Sequence, residues 1–373
     1  MALRYTGRLG RTYRHMDRYR QILTVLIRYG FGDLLESLKL DQYVEIGLKI
    51  VARRRQRPEL AELTRAERVR LALEALGPTF VKMGQILSTR PDLLSGEFVK
   101  ELQKLQDEVP PFPGEQARAR VESELGRPLD TVFDEFDNVA LASASLGQVH
   151  RARLLDGRDV VVKVQRPGIR KTIEVDLEIM THLAGLIERH VEGFEVHRPT
   201  RIVEEFANTI RQELDYRLEA GHIDRFALQF TGEPTILIPE VYREASTARI
   251  LTLQYVHGIK PSNLEELAAA GLDRRLIAHR GADLLMKQVF VHGFFHADPH
   301  PGNLFILPGN VICFLDFGMM GHLDRDARES FADVMIALEE RDAERCADAL
   351  LELTEWDHPP ERGPLTRWRS TFD

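Results

Sequence analysis

Two polar motifs in the last third of the chain place the tightest limit on what it can fold into. The first, HADPHPGN, carries Asp298 and Asn303 five residues apart, and the second, LDFG, carries Asp316 thirteen residues after Asn303. The stretch between them, residues 304 to 314, is rich in β-forming residues and predicts a hairpin. Prolines and glycines in the first motif predict a loop rather than a strand or helix. Polar groups therefore bracket a predicted hairpin in a fixed order.

These three side chains match the needs of phosphoryl transfer. Such a reaction requires a carboxylate that orients or accepts the proton of the nucleophile, and oxygen ligands that hold Mg²⁺ on the phosphates. Asp298 is the predicted catalytic residue, and Asn303 and Asp316 are the predicted metal ligands. The order and spacing resemble the catalytic loop and the metal loop of protein-kinase-like folds. The predicted cofactors are ATP and Mg²⁺.

An upstream lysine completes the pattern. Lys163 ends the run Val160 to Val162, which predicts a strand from Val160 to Gln165, and it resembles the strand lysine that contacts the α and β phosphates. A lysine in this position needs an acidic partner, and Glu219 on a long helix predicted from Pro199 to Phe230 is the natural candidate. Taken alone, each residue of the set is also compatible with a surface ion pair. The occurrence of Lys163, Glu219, Asp298, Asn303 and Asp316 in this order makes surface ion pairs a much weaker interpretation.

The segment before this strand occupies the place of a glycine-rich loop. Ala140 to Leu154 is predicted as one strand, joined to the next by a tight turn at residues 155 to 158. Within it lie four small residues predicted to cover the nucleotide: Ala142, Ser143, Ala144 and Ser145. Because alanine restricts the backbone more than glycine does, we expect this loop to be stiffer than a glycine-rich one. A plain β-turn is the alternative.

The organisation of the chain predicts an α+β protein in three parts. The first 110 residues have the pattern of helices, and prolines at 110, 111 and 113 mark a boundary. We therefore expect an all-helical extension over residues 1–112. A small β-rich lobe with inserted helices is predicted over 113–257, and a mainly helical lobe over 258–373, with a helix from Leu272 to Val291.

Charge and composition exclude some classes of partner and site. The net charge of −8 argues against a nucleic-acid binder, which needs a basic surface. Residues 1–70 are nevertheless basic, with a helical stripe of Arg4, Arg8, Arg11, Arg14 and Arg18 opposite Tyr5, Leu9, Tyr13 and Met16. This pattern favours a helix on an anionic lipid surface, and a solvated basic tail is the alternative. No secretory signal, disulfide framework or membrane-spanning run is found, so we expect a cytoplasmic protein, peripheral at the inner face of a membrane.

Five motifs together resemble the UbiB (AarF) group of atypical, protein-kinase-like proteins. The most specific is Lys82-Met83-Gly84-Gln85, which is similar to the K-x-G-Q signature of that group and is not found in ordinary kinases. The other four are ASASLGQVHRA, VVVKVQRPG, ELDYRLEA, and HADPHPGNL with LDFG. The resemblance runs from about residue 20 to residue 350.

The resemblance implies a two-lobed, protein-kinase-like fold whose helical extension lies over the active site and excludes protein substrates. Lys82 and Gln85 would act at that regulatory contact, together with Glu213 and Asp215. Glu213 and Glu219, six residues apart on one predicted helix, would point about 120° apart, so Lys82 would meet Glu213 while Lys163 pairs with Glu219. The group is associated with ATP hydrolysis and with the metabolism of ubiquinone and other isoprenoid lipids, which implies such lipids and lipid-biosynthesis proteins as partners.

Two features depart from the pattern of that group. Val161 stands two residues before Lys163, where an alanine is usual, and we expect its bulk to press on the adenine and weaken nucleotide binding. The chain ends at Asp373, so the helical lobe is shorter than in many relatives. Either the protein is naturally short or the sequence is a truncated one.

Three other interpretations compete with this one. A small-molecule kinase of the aminoglycoside or choline type also carries an H-x-D-x-x-x-x-N loop, but the Lys82 motif and the alanine-rich loop argue against it. A pseudokinase that uses nucleotide as a conformational switch would keep the same polar groups. A zinc site at His296, Asp298 and His300 is disfavoured by the intervening prolines. His296 is instead expected to support the backbone of its loop.

Overall fold

A computed structural model describes residues 5–38, 63–105, 110–191 and 198–353, with side chains from Met16 onward. These residues form two compact units. One comprises the described parts of Met1–Arg217 with Tyr242–Thr252, and the other those of Leu218–Val241 with Leu253–Asp373. The protein has the predicted mixed helix-and-sheet architecture. The three-part division at residues 112 and 257 remains a prediction.

Most of the first unit is helical. Its helices are α1 (Tyr5–Arg28), α2 (Gly32–Ser37), α3 (Arg65–Leu76), α4 (Pro78–Ser88), α5 (Gly96–Leu102), α6 (Gly114–Leu125), α7 (Ile169–His190) and α8 (Pro199–Glu213). Thr64 and Glu67 form a reciprocal capping box at the start of α3, and Pro78 is tolerated at the first position of α4. Residues 39–62 of the predicted all-helical extension fall outside the described residues.

A buried ion pair joins α1 to α7, and α4 contacts the same carboxylate. The guanidinium of Arg18 donates to both carboxylate oxygens of Asp176 on α7, at 2.6 and 3.0 Å, and to the carbonyl of Leu76 at 2.7 Å. Thr79 Oγ1, in the first turn of α4, donates to the same carboxylate at 2.6 Å. Arg18 was expected on the lipid-facing stripe, and that was wrong for this residue, because Asp176 is fully buried and its charge requires a partner.

The sheet of this unit has four strands: β1 (Phe133–Ser143), β2 (Gly147–Leu154), β3 (Asp159–Gln165) and β5 (Ile250–Gln254). They lie in the order β1, β2, β3, β5, and β2 runs antiparallel to both β1 and β3. The predicted turn at residues 155–158 joins β2 to β3. The single strand predicted from Ala140 to Leu154 was wrong, because the chain reverses at residues 144–146 and pairs Ser143 with Gln148. The alanine-rich segment is therefore itself the turn between two strands.

The prediction of one long helix from Pro199 to Phe230 was wrong. The segment forms two helices, α8 and α9 (Tyr216–Gln229), which are separated at Leu214 and Asp215. Leu214 is fully buried, and the Asp215 carboxylate accepts from the backbone N–H of Arg217 at 3.1 Å, as a residue that caps a helix does. The expected 120° between Glu213 and Glu219 therefore does not apply, because the two residues lie on different helices.

The second unit contains short strands and the remaining helices. The strands are β4 (Ile236–Leu237), β6 (Phe294–His296), β7 (Leu304–Leu307), β8 (Val311–Phe314) and β9 (Met320–His322), and the helices are α10 (Leu264–Ala269), α11 (Arg274–Met286), α12 (Arg325–Glu340) and α13 (Ala343–Glu352). The hairpin predicted for residues 304–314 is confirmed as β7 and β8. The helix predicted from Leu272 to Val291 is α11 followed by a π-helical turn at Lys287–His292. Among the described residues, no helix has the length and apolar character to cross a bilayer.

Candidate functional site

The alanine-rich loop is closed by backbone hydrogen bonds and by one glycine. The N–H of Ala144 donates to the carbonyl of Gly147 at 2.8 Å. A Cβ on Gly147 would lie 2.6 Å from the carbonyl oxygen of Val164 and 2.8 Å from the hydroxyl of Tyr216, so only glycine permits this approach. Ser145 is buried at the tip, whereas Ala142 is exposed and Ser143 is half-buried.

Arg166, which the sequence analysis did not single out, ties this loop down. Its guanidinium donates to the hydroxyl of Ser143 and the carbonyl of Ala144, each at 3.3 Å, and to the carbonyl of Pro110 at 3.1 Å. Its backbone N–H donates to the carbonyl of Leu146 at 2.8 Å. The loop is therefore restrained by an arginine as well as by the limited freedom of alanine.

Lys163 lies on the half-exposed face of β3. Val160, Val162 and Val164 are fully buried on the opposite face, and Val161 shares the face of Lys163. The ammonium of Lys163 lies 5.2 Å from the centre of the Tyr216 ring, within the range of a cation–π contact. Glu219 is 5% exposed on α9, in the second unit. Its pairing with Lys163 remains a prediction.

The K-x-G-Q motif lies on α4, and its lysine forms the ion pair that the resemblance implies. Lys82 Nζ lies 2.9 Å from Glu213 Oε2, with both side chains largely buried. Gln85 Nε2 donates to the carbonyl of Leu105 at 3.3 Å. A Cβ on Gly84 would lie 2.3 Å from a methyl carbon of Leu105. The glycine of the motif therefore lies closely against leucine side chains, and Lys82 and Gln85 each make a specific contact.

Asp215 contacts an arginine, and its role at the implied regulatory contact stays a prediction. Its carboxylate accepts from the Arg217 guanidinium at 2.9 and 2.6 Å. The hydrogen bond from Arg217 lowers the pKa of Asp215 below its usual value, so the group is a carboxylate at neutral pH. Lys82 thus pairs with Glu213, while Asp215 pairs with an arginine two residues along.

In the second unit, the predicted catalytic residue and one predicted metal ligand are hydrogen-bonded to each other. Asp298 is exposed in the loop after β6, and Asn303 ends a short 3₁₀ turn at Pro301–Asn303. Asn303 Nδ2 donates to the Asp298 carboxylate at 3.2 Å and to its carbonyl at 3.3 Å. Leu315 N–H donates to the carbonyl of Asn303 at 2.9 Å, which brings the Asp316 loop beside this turn.

Asp316 and His296 are linked through the backbone. Asp316 Oδ1 accepts from the N–H of Gly318 at 2.8 Å, and its carbonyl accepts from His296 Nε2. The other ring nitrogen, Nδ1, accepts from the N–H of Asp298 at 3.2 Å. Burial lowers the pKa of His296, which favours the neutral ring these contacts require. Both nitrogens bind backbone, as expected for a supporting histidine, so neither faces a zinc ion.

Two side chains of this unit that were not among the predicted site residues contact the same loops. Gln288 is buried on the π-helical turn and accepts from the N–H of His296 at 2.9 Å. His222 on α9 contacts the carbonyl of Phe317 through Nδ1 at 2.9 Å. A buried glutamine within an apolar helical pattern is the one signal that marks Gln288.

The chemistry of the donor set suits a hard divalent cation. Asp316 offers a carboxylate, and Asn303 donates from Nδ2, so its Oδ1 is the atom it can offer to a cation. Oxygen ligands of this kind are those preferred by Mg²⁺. Within the part of the chain that the structure describes, no group of three or more His, Cys, Asp or Glu residues could hold a metal. Phosphate oxygens or water would therefore have to complete the coordination shell.

Comparison with known proteins places the chain in one family. Residues 104–350 match the model of the ABC1 atypical kinase-like domain. Over 97% of its length the chain is 41% identical to an uncharacterized protein of Synechocystis, of which it covers 60%. Over 91% it is 39% identical to a probable protein kinase UbiB of Aeromonas salmonicida, of which it covers 63%. The chain thus spans about 60% of the length of these two relatives.

A plant relative and a solved structure agree with this assignment. The chain is 45% identical over 74% of its length to Protein ACTIVITY OF BC1 COMPLEX KINASE 7, chloroplastic, of Arabidopsis thaliana, and covers 40% of that protein. A Mycobacterium tuberculosis protein, solved in complex with erythromycin, aligns with a TM-score of 0.54 and 26% identity over 72% of this chain and 67% of its own. The chain belongs to the ABC1 family of atypical kinase-like proteins, which includes the UbiB proteins.

Proposed function

We propose that this protein binds ATP with Mg²⁺ and hydrolyses it or transfers its terminal phosphoryl group, as an atypical kinase or ATPase of the UbiB type. One observation carries the proposal. Asp298 and Asn303 share a hydrogen bond, and the Asp316 loop is fastened to the same turn through Leu315 and His296. A base, an amide oxygen and a carboxylate thus lie in neighbouring loops of one unit, as phosphoryl transfer requires.

The residues of this unit have distinct roles in the proposed reaction. Mg²⁺, when bound by Asn303 and Asp316, would neutralise charge on the phosphates. Asp298 is oriented by the amide of Asn303 and is exposed, so it can accept or orient the proton of an attacking hydroxyl or water. His296 keeps the two loops together by binding the backbone of each.

The first unit would supply the nucleotide contacts. Lys163 is proposed to bind the phosphates and to be positioned by Glu219. The loop of Ala142, Ser143, Ala144 and Ser145, restrained by Arg166, would cover the nucleotide, and Val161 would lie against the adenine. A restrained loop favours a small, enclosed acceptor such as water or a lipid headgroup over a bulky one.

Lys82, Gln85, Glu213 and Asp215 are proposed to regulate access to the nucleotide. The observed pair of Lys82 with Glu213 supports this for two of them. We further propose that the protein works at an anionic lipid surface, on the cytoplasmic side, in the metabolism of quinone-type or other isoprenoid lipids. Because Arg18 is engaged with Asp176, the lipid contact would fall to Arg4, Arg8, Arg11 and Arg14.

Two substitutions in the second unit test the proposed chemistry. Asp298→Asn should leave nucleotide affinity within about twofold of the parent and lower ATP turnover by at least 100-fold, since a general base contributes roughly that much. Asp316→Asn should lower both, because a neutral amide is a poor substitute for a metal-binding carboxylate. Turnover is measured by phosphate release and affinity by nucleotide titration with Mg²⁺. Turnover that survives Asp298→Asn would contradict the assignment.

A further inference from the structure

The side chain of His222 lies at the loop that carries Asp316. Its Nδ1 lies 2.9 Å from the carbonyl oxygen of Phe317. A carbonyl can only accept, so Nδ1 carries the proton and donates it. Phe317 is fully buried, and a buried carbonyl without a partner is costly. His222 therefore supplies a hydrogen bond that this turn requires.

With this contact, each peptide group of the turn from Asp316 to Gly318 has a side-chain partner. His296 binds the carbonyl of Asp316, His222 binds that of Phe317, and the Asp316 carboxylate accepts from the N–H of Gly318. The direction of that carboxylate depends on the two peptide planes that follow Asp316. His296 holds the first plane, and His222 holds the second, whose N–H binds the carboxylate.

The helix that carries His222 also carries Glu219. Glu219, His222 and Phe226 are three and then four residues apart, so they share one face of α9. Phe226 is fully buried, and its ring lies 5.6 Å from that of Phe314 and 5.3 Å from that of Phe317, both edge-on. One face of α9 thus packs on the residues before and after Asp316, and the histidine is its polar contact with that loop.

The same histidine also contacts the strand that leads to Asp298. Its ring lies 5.9 Å from that of Phe294, at the start of β6. The guanidinium of Arg225, three residues along α9, lies 4.0 Å from the centre of the Phe294 ring. The contact of His222 with β6 is therefore apolar and shared, whereas the hydrogen bond to Phe317 belongs to His222 alone among the described residues.

We propose that His222 is a positioning residue that holds the Asp316–Gly318 turn, so that the Asp316 carboxylate keeps the direction needed to bind a divalent cation. The binding of a cation by Asp316 rests on the proposed function. The holding of the turn by His222 does not depend on that function. Loss of the donor should let the Phe317 peptide rotate, and Asp316 would then bind the cation less well while nucleotide affinity without metal stays the same.

Two matched substitutions separate the hydrogen bond from the ring. His222→Phe keeps an aromatic ring beside Phe294 and removes the donor. His222→Asn removes the ring and places an amide N–H near the position of Nδ1. We expect His222→Phe to raise the Mg²⁺ concentration for half-maximal nucleotide binding roughly fivefold, the factor that one net hydrogen bond supplies. His222→Asn should stay within about twofold of the parent.

A second measurement keeps the test independent of activity. Hydrogen exchange of the Gly318 amide, followed without nucleotide or metal, should be roughly fivefold faster in His222→Phe than in the parent and close to the parent in His222→Asn. Equal exchange in the parent and His222→Phe would overturn the proposal. Exchange in His222→Asn as fast as in His222→Phe would also overturn it, because a restored N–H donor would then fail to hold the turn. If the parent binds nucleotide equally with and without Mg²⁺, the proposed function fails, and the exchange experiment alone decides the role of His222.

Discussion

His150 on β2 is a buried histidine whose two neighbours fix its tautomer. Its Nδ1 lies 2.7 Å from the carbonyl of Asp137, so it carries the proton, and its Nε2 accepts from the amide of Gln148 at 2.7 Å. Gln148 also exchanges hydrogen bonds with both backbone groups of Phe112. The ring is fully buried and stacks on Phe136. Burial lowers the pKa of His150 below its ordinary value.

Protonation of His150 is therefore expected to oppose folding at acid pH. Below pH ~6.5 the unfolded chain binds a proton at this histidine that the folded chain does not, so the free energy of unfolding falls as pH is lowered toward the folded pKa. The slope from this one group is at most about 1.4 kcal/mol per pH unit. Urea unfolding measures the free energy of unfolding between pH 7 and pH 5. This free energy should depend less steeply on pH in His150→Gln than in the parent. Identical slopes would contradict the assignment.

The two cysteines differ in their surroundings. Cys313 on β8 is fully buried, and burial raises the pKa of its thiol to about 12. Cys346 on α13 is partly exposed. Because the thiolate is the reactive form, an alkylating reagent at pH 8 should label one thiol in the native protein and two after unfolding. Mass spectrometry should place the native label on Cys346, and a native label on Cys313 would show that β8 opens readily.

The alanine-rich loop is restrained at the scale of a whole turn by Arg166, which lies just beyond the end of β3. Replacing Arg166 by alanine removes three hydrogen bonds to backbone and hydroxyl groups of Pro110, Ser143 and Ala144. We expect amide exchange over residues 142–147 to become at least tenfold faster. Arg151→Ala is the matched control, since Arg151 pairs with Asp159 at 3.4 Å and both side chains are about 40% exposed. Unchanged exchange in Arg166→Ala would show that the alanines alone keep the loop stiff.

The contact between α1, α4 and α7 depends on one buried carboxylate. Arg18→Ala leaves Asp176 buried without its cation, and the loss of one partner of such a pair costs about 3–5 kcal/mol of unfolding free energy. Arg20→Ala, two residues along the same helix, should lower the unfolding free energy by less than about 0.5 kcal/mol. Arg20 is exposed, and its ion pair with Asp17 is long, at 3.7 Å. Chemical denaturation measures both. A loss from Arg18→Ala as small as that from Arg20→Ala would contradict the structure of this contact.

The sequence pattern predicted elements better than it predicted the contacts between them. Strand β3 and the β7–β8 hairpin follow directly from the β-forming residues of their segments. The break at Leu214 and Asp215 was not predictable from propensity, because neither residue is a proline or glycine. Arg166 and His222 were missed for a related reason: each contacts backbone of a segment distant in the chain, and a backbone carbonyl leaves no mark in the sequence.

Across the whole chain, the family was predictable because its short motifs stand in a fixed order, whereas the roles of the individual site residues stay predictions. The three motif loops from Ala142 to Asp316 lie within the residues that match the ABC1 domain, whereas Lys82 and Gln85 lie before them. We propose that the motifs of both units bind one nucleotide with its cation. The pairing of Lys163 with Glu219 is part of that proposal.

Calorimetric titration of the protein with a non-hydrolysable ATP analogue, with and without Mg²⁺, shows directly whether the nucleotide is bound together with its cation. We expect Mg²⁺ to increase the affinity at least tenfold in the parent protein, and to have no effect in Asp316→Asn, which lacks the carboxylate that would hold the cation. Arg341→Ala, at the end of α12, is a control that should behave like the parent. Equal affinity with and without Mg²⁺ in the parent protein would contradict the account.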